Sequence, residues 1–69
     1  MVTLKSVENG VVTDWWMNLV HYVGADSNDA SYRSAVKKFN GTFSNDENGF
    51  YQIRFKKESD AVYFLMMML

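Results

Sequence analysis

The sequence predicts a small α+β domain: a three-stranded antiparallel or mixed sheet with helices on one face, a ferredoxin-like unit lacking a last strand, in the order β-α-α-β-β-α. Three observations predict it. Residues 2–5 and 51–56 alternate apolar with polar side chains, the period of a half-buried strand. Residues 30–40 set Tyr32, Ala35, Val36 and Phe39 at i, i+3, i+4 and i+7, the stripe of an amphipathic helix. Clusters of Asn, Asp and Gly, with no proline anywhere, separate these segments. A sheet covered on one face buries every apolar stripe among them.

In chain order, "VTLKSV" (residues 2–7) is the first strand, with Val2 and Leu4 against Thr3 and Lys5. "ENG" then offers an Asn-Gly turn. "TDWWMNLVHYVG" admits two readings. As a helix it gathers Trp15, Trp16, Leu19, Val20 and Val23 on one arc and Asp14, Asn18 and His21 on the other, with Thr13 or Asp14 to cap its start and Gly24 its end. As a strand it draws on the β-propensity of Val, Trp, Tyr and Thr and pairs with residues 2–7. The helix is preferred because polar spacing and both terminal signals agree.

Ser27 and Asp29 are cap candidates for the next helix, residues 30–40. Lys37 and Lys38 suit its negative end, and Gly41 is the expected stop after Asn40. A hairpin follows: "GTFS", a turn "NDENG", and "FYQIRFK", whose Tyr51, Ile53 and Phe55 form the core row and whose Phe50, Gln52, Arg54 and Lys56 form the opposite row. The acids of "ESDA" start a last helix rich in Ala, Leu and Met.

At 69 residues the chain has room for one domain, residues 1–69. A chain this short buries only about 60% of its unfolded surface, so its core needs a supplement. Having no cysteine, it forms no disulfide or thiolate zinc site, and one histidine, His21, does not make a histidine-rich metal site. No cofactor is expected. Oligomerisation is the supplement left, and 48% hydrophobic with 16% aromatic residues is rich for this length. The last helix points the same way. Ala61, Val62, Phe64, Leu65, Met68 and Leu69 share a broad arc, which leaves the apolar Tyr63, Met66 and Met67 on the far side. A helix apolar all round exposes a patch on a lone small domain. Tyr63, Met66 and Met67 are the expected partner interface, most simply between two copies in a homodimer, with a different protein partner as the variant; a fraying end whose methionines fill core gaps and a methionine-lined small-molecule groove are the other readings of the same residues.

Other function classes lack their residues. The formal charge of −1 argues against a strongly basic nucleic-acid binder. The longest apolar run has nine residues, against the roughly 20 of a membrane-spanning helix. No leader pattern stands at the N-terminus, and a cytoplasmic location is expected. Asp14, Asn18 and His21 would share a helical stripe, but an ordinary polar face places the same residues there and no nucleophile accompanies them. Gly10, Gly24, Gly41 and Gly49 are too scattered for a phosphate loop. Asp26, Asn28 and Asp29, or residues 45–48, lack the spaced acids and distal glutamate of a calcium loop and read as turns. The protein is therefore not expected to be an enzyme.

An alternative function rests on one face of residues 50–56. Six of the seven cations fall between positions 33 and 57. Phe50, Arg54 and Lys56, extended by Arg33 and Lys37, offer a stacking ring beside cations, the chemistry of single-strand nucleic-acid binding. Gly49, Phe50, Ile53 and Phe55 resemble the base-stacking strand of RNA-recognition domains, with Gln52 where a second stacking aromatic is expected and Asn48 where a basic residue is expected. Asp46, Glu47, Glu58 and Asp60 flank the strand and repel phosphate, and a charged strand guarded against aggregation accounts for the same residues.

The C-terminal third resembles the ending of short tailed-bacteriophage proteins: an aromatic strand, an acidic turn, then Asp60, Ala61, Phe64 and Leu65 opening a helix. That resemblance covers roughly 25 residues. It implies a phage-like origin, and with it the host cytoplasm, and no defined activity.

Overall fold

The computed structural model describes residues 1–24 and 28–68. Its elements are β1 (Val2–Lys5), β2 (Val7–Glu8), β3 (Val11–Val12), α1 (Asp14–Val23), α2 (Asp29–Lys37), β4 (Gly41–Asn45), β5 (Tyr51–Phe55) and α3 (Glu58–Met67). The class is the α+β expected, and residues 14–23 are helical. The order differs from expectation by one hairpin. Val7 pairs with Val12 and Glu8 with Val11 around Asn9 and Gly10, both left-handed at φ 53 and 76, as a tight hairpin turn demands. The strand expected over residues 2–7 therefore breaks at Ser6. Its N–H still donates to Tyr51 O at 2.9 Å, but its carbonyl accepts from Thr13 N at 2.9 Å.

The main sheet has the order β1-β5-β4, with β5 antiparallel to both neighbours. Val2 lies opposite Phe55 and Leu4 opposite Ile53, while Phe43 lies opposite Ile53 on the other side. These rows share one face with Tyr51. Upon it lie Trp15 and Leu19 of α1, Val36 of α2, Phe39, and Ala61 and Phe64 of α3, with Met68 beyond its end. Leu19, Val36, Ile53, Phe55 and Phe64 have no exposure at all. Each such side chain contributes about 1.5–3 kcal/mol by leaving water. The opposite strand positions, Thr3, Lys5, Thr42, Ser44, Gln52 and Arg54, make a polar face.

Several termini differ from expectation for local reasons. Thr13 does not cap α1 with its side chain. Its hydroxyl donates instead to Lys5 O and Ser6 O, both at 3.1 Å, and fastens the helix to the sheet. Gly24 ends α1 at φ 108, a backbone angle suited to glycine. The cap of α2 is Asn28, whose Oδ1 accepts from Ser31 N at 3.1 Å. Asp29 is the first helical residue, and Ser27 lies outside the described residues. The helix closes at Lys37, three residues short of Asn40, and Asn40 itself takes the left-handed conformation at φ 63. Gly41 is thus not the stop. It opens β4 under α2, where a Cβ would lie 2.8 Å from Val36 Cγ1 and Ile53 Cγ2 and 2.9 Å from Phe55 Cε1. Ala61 and Phe64 of α3 and Met68 just past it are buried, but Val62, expected on their arc, is 48% exposed. A step of about 100° from Ala61 carries it out of the sheet's reach. Leu69, placed on the same arc, lies outside the described residues.

Candidate interaction surfaces

Three surfaces carry the chemistry of the molecule. The first is the outer face of α3. Tyr63 is 56% exposed, Met66 69% and Met67 55%, where the sequence placed them, and Val62 joins them. These four span about 140° of the helix, and Ser59 is the only polar side chain inside that arc. The patch continues past α3. Tyr63 packs on Phe39 at 5.9 Å between ring centroids, and Phe39 meets the exposed Tyr22 of α1 at 6.4 Å. The α3 C-terminus is tied to α1 by Asn18 Nδ2, which donates to Met68 O.

The second surface is the polar face of the sheet, opposite the face on which the described helices pack. Phe50, 47% exposed, precedes Gln52 and Arg54 on this row. Phe50 lines a groove of about 650 Å³ between the β2–β3 hairpin and the β4–β5 turn, with Lys5, Glu8, Asn9, Asp46 and Asn48 around it. Asp46 Oδ1 organises that turn by accepting from Asn48 N at 2.9 Å and Phe50 N at 3.0 Å. Gln52 stands in this row between Phe50 and Arg54. It is buried between the strands, its Nε2 donating to Ser44 Oγ at 3.3 Å, so it stiffens the sheet. Lys56 is exposed just past β5.

The third surface is the free edge of β4. Arg33 and Lys37 stand here, one helical turn apart on α2, lining a shallow groove of about 250 Å³ with Gly41, Thr42 and Phe43. Arg33 Nη1 donates to Phe43 O at 3.4 Å. The structure therefore brings Phe50 and Arg54 to one sheet face and sends Arg33 and Lys37 to the edge.

Sequence reasoning missed a stack of rings joining the layers. Trp16 lies 5.3 Å from Tyr32 and 5.2 Å from Tyr51, and Tyr51 lies 4.9 Å from Phe43. The Tyr51 hydroxyl donates to Asp29 Oδ1 at 3.0 Å. That hydrogen bond, then the charge of Asp29, then burial and Tyr32, hold the Tyr51 phenol above its ordinary ionisation range. Aromatics far apart in sequence gave no periodic signal for this cluster.

His21 lies in a mostly apolar groove with Val12, Trp16, Met17 and Val20, and no acid among the described residues lines that groove. Among the described residues no three His, Asp or Glu side chains gather as a metal site would require, and Asp26 lies outside them. Comparison with family models, curated proteins and solved structures finds no match.

Proposed function

We propose that the protein acts by association rather than catalysis, as a self-associating accessory protein whose two-fold interface is the outer face of α3. One observation carries this reading: Val62, Tyr63, Met66 and Met67 are all exposed on one helix face with no charge among them. Monomeric proteins seldom expose so continuous an apolar surface, and Tyr22 enlarges it. A two-fold contact pairs the patch with itself, so each covered side chain counts twice. Light scattering at tens of micromolar gives twice the 8.0 kDa chain mass. Tyr63→Glu with Met66→Glu returns the single-chain mass with the circular-dichroism spectrum retained. A single-chain mass for the unaltered protein sinks the reading.

The sheet order and the helices on one face support its finer description as a ferredoxin-like unit without the last strand, and the resemblance of its ending to tailed-phage proteins supports a reading in which it works in a host cytoplasm. No helix among the described residues is long and apolar enough to cross a membrane.

A second reading is single-strand nucleic-acid binding on the uncovered sheet face. Phe50 and Arg54 share that face with Lys5, and its strand positions carry no carboxylate. Glu8 and Asp46 in the Phe50 groove oppose phosphate there. Labelled single strands titrated at low salt test it, because phosphate contacts are strongest under that condition. Absence of binding removes it, and Phe50→Ala abolishes any that is real.

A further inference from the structure

We propose that the free edge of β4 is a strand-addition site for an extended, acidic segment of another protein, selected by Arg33 and Lys37. This surface is distinct from the α3 face.

The edge has the right backbone. Among the described residues no strand lies beyond β4. Asp46 N donates to Phe50 O at 2.7 Å, which sets the ladder so that Thr42 and Ser44 bond to β5. Gly41, Phe43 and Asn45 therefore turn their N–H and C=O groups outward, and Arg33 already finds the Phe43 carbonyl there. The template is rigid: the Phe43 side chain is buried, and Gly41 is wedged beneath Val36. The opposite edge is less open, since the Thr13 hydroxyl occupies the carbonyl of Lys5 and shares that of Ser6.

Charge chooses the occupant. Arg33 and Lys37 stand four residues apart on α2, about 6 Å along the helix, and alternate residues of an added strand stand about 6.8 Å apart. Two carboxylates at i and i+2 on the helix side of that strand would meet both cations. An apolar strand would displace Arg33 from the Phe43 carbonyl and return nothing, whereas an acidic one exchanges the 3.4 Å contact for a charge-assisted bond. The same cations turn away a second copy, because pairing β4 with β4 brings two Arg33–Lys37 pairs together. The described acids of this chain stand in the β2–β3 hairpin, in the β4–β5 turn or on helices, so none offers an extended acidic strand. The occupant is therefore a different chain.

A blocked octapeptide alternating glutamate and threonine, titrated into the full chain at low salt and followed by amide NMR, tests this. The amides of Gly41, Phe43 and Asn45 shift and exchange more slowly with solvent. The glutamine counterpart of the peptide, or the Arg33→Gln/Lys37→Gln protein with the original peptide, binds roughly tenfold more weakly or worse. A glutamate peptide N-methylated at alternate amides keeps its charge, loses its strand edge and does not bind. Three results overturn the proposal: no binding of the first peptide, shifts confined to other surfaces, or equal binding by the N-methylated peptide or by oligothymidylate, which would mean attraction by charge alone.

Discussion

The hydroxyl of Tyr51, at the start of the central strand, donates to the carboxylate of Asp29 in the first turn of α2 at 3.0 Å, and this bond ties the sheet to the helix layer beside the Trp16–Tyr32 stack. Since the fold raises the Tyr51 ionisation, it favours the protonated phenol. The stabilisation is present in full below the ordinary tyrosine value of about 10 and is lost as pH climbs through the raised one. An ultraviolet titration of the folded protein shows a late phenolate step that Tyr51→Phe removes. Asp29→Asn moves that step to lower pH by removing the neighbouring negative charge.

Gly41→Ala destabilises the fold by about 1–3 kcal/mol, because the new methyl overlaps Val36, Ile53 and Phe55, all fully buried, and forces them to shift. Asn40→Gly does not, since glycine adopts the left-handed conformation there more readily than asparagine. Urea unfolding of the two variants side by side separates steric from conformational demand at adjacent positions.

That pair also marks how far the sequence could be read. A helix ending near residue 40 with glycine after it looked like an ordinary stop, and only the packing of Val36 and Ile53 reveals that Gly41 is needed for space. Residues 51–55 were legible because a two-residue period over five positions sorts Tyr51, Ile53 and Phe55 from their neighbours. The strands of the β2–β3 hairpin, two residues each, are too short to show any period, although its Asn9-Gly10 turn was visible. Tyr63, Met66 and Met67 could be placed outside the core from helical geometry. Arg33 and Lys37 could not be separated from Arg54 on composition, since their distance from the sheet face follows from how α2 lies on β4.

Phe64→Ala costs about 3–5 kcal/mol. Its ring meets Trp15, Phe39 and Phe55 at centroid distances of 5.7, 5.3 and 5.5 Å, so the void would open where α1, α3 and Phe39, just past α2, meet β5. A domain of this size holds only about 3–10 kcal/mol in total, so near-ultraviolet circular dichroism of the variant at room temperature shows much of the tertiary signal gone. Phe64→Leu keeps most of it.

Thr13→Val and Asn28→Ala each cost about 1 kcal/mol but fail differently. Thr13 fastens α1 to the sheet through Lys5 O and Ser6 O, so its loss loosens the hairpin while α1 keeps its helical content. Asn28 satisfies Ser31 N, so its loss frays the first turn of α2. Hydrogen exchange at Ser31 against that at Thr13, with Thr13→Ser as rescue, distinguishes them.

The central strand is also the last to be made. β1 and β4 touch no other strand of their sheet except β5, which begins at Tyr51. A ribosome that has released only the first 50 residues has therefore released two sheet edges with nothing between them, and the helices above have no floor. The β1–β5 pairing must close a loop of about 50 residues, a slow kind of contact to form. Folding should then be a single late event once β5 emerges, and a nascent chain cut before Tyr51 should be captured by chaperones, whereas one cut after α3 should escape them.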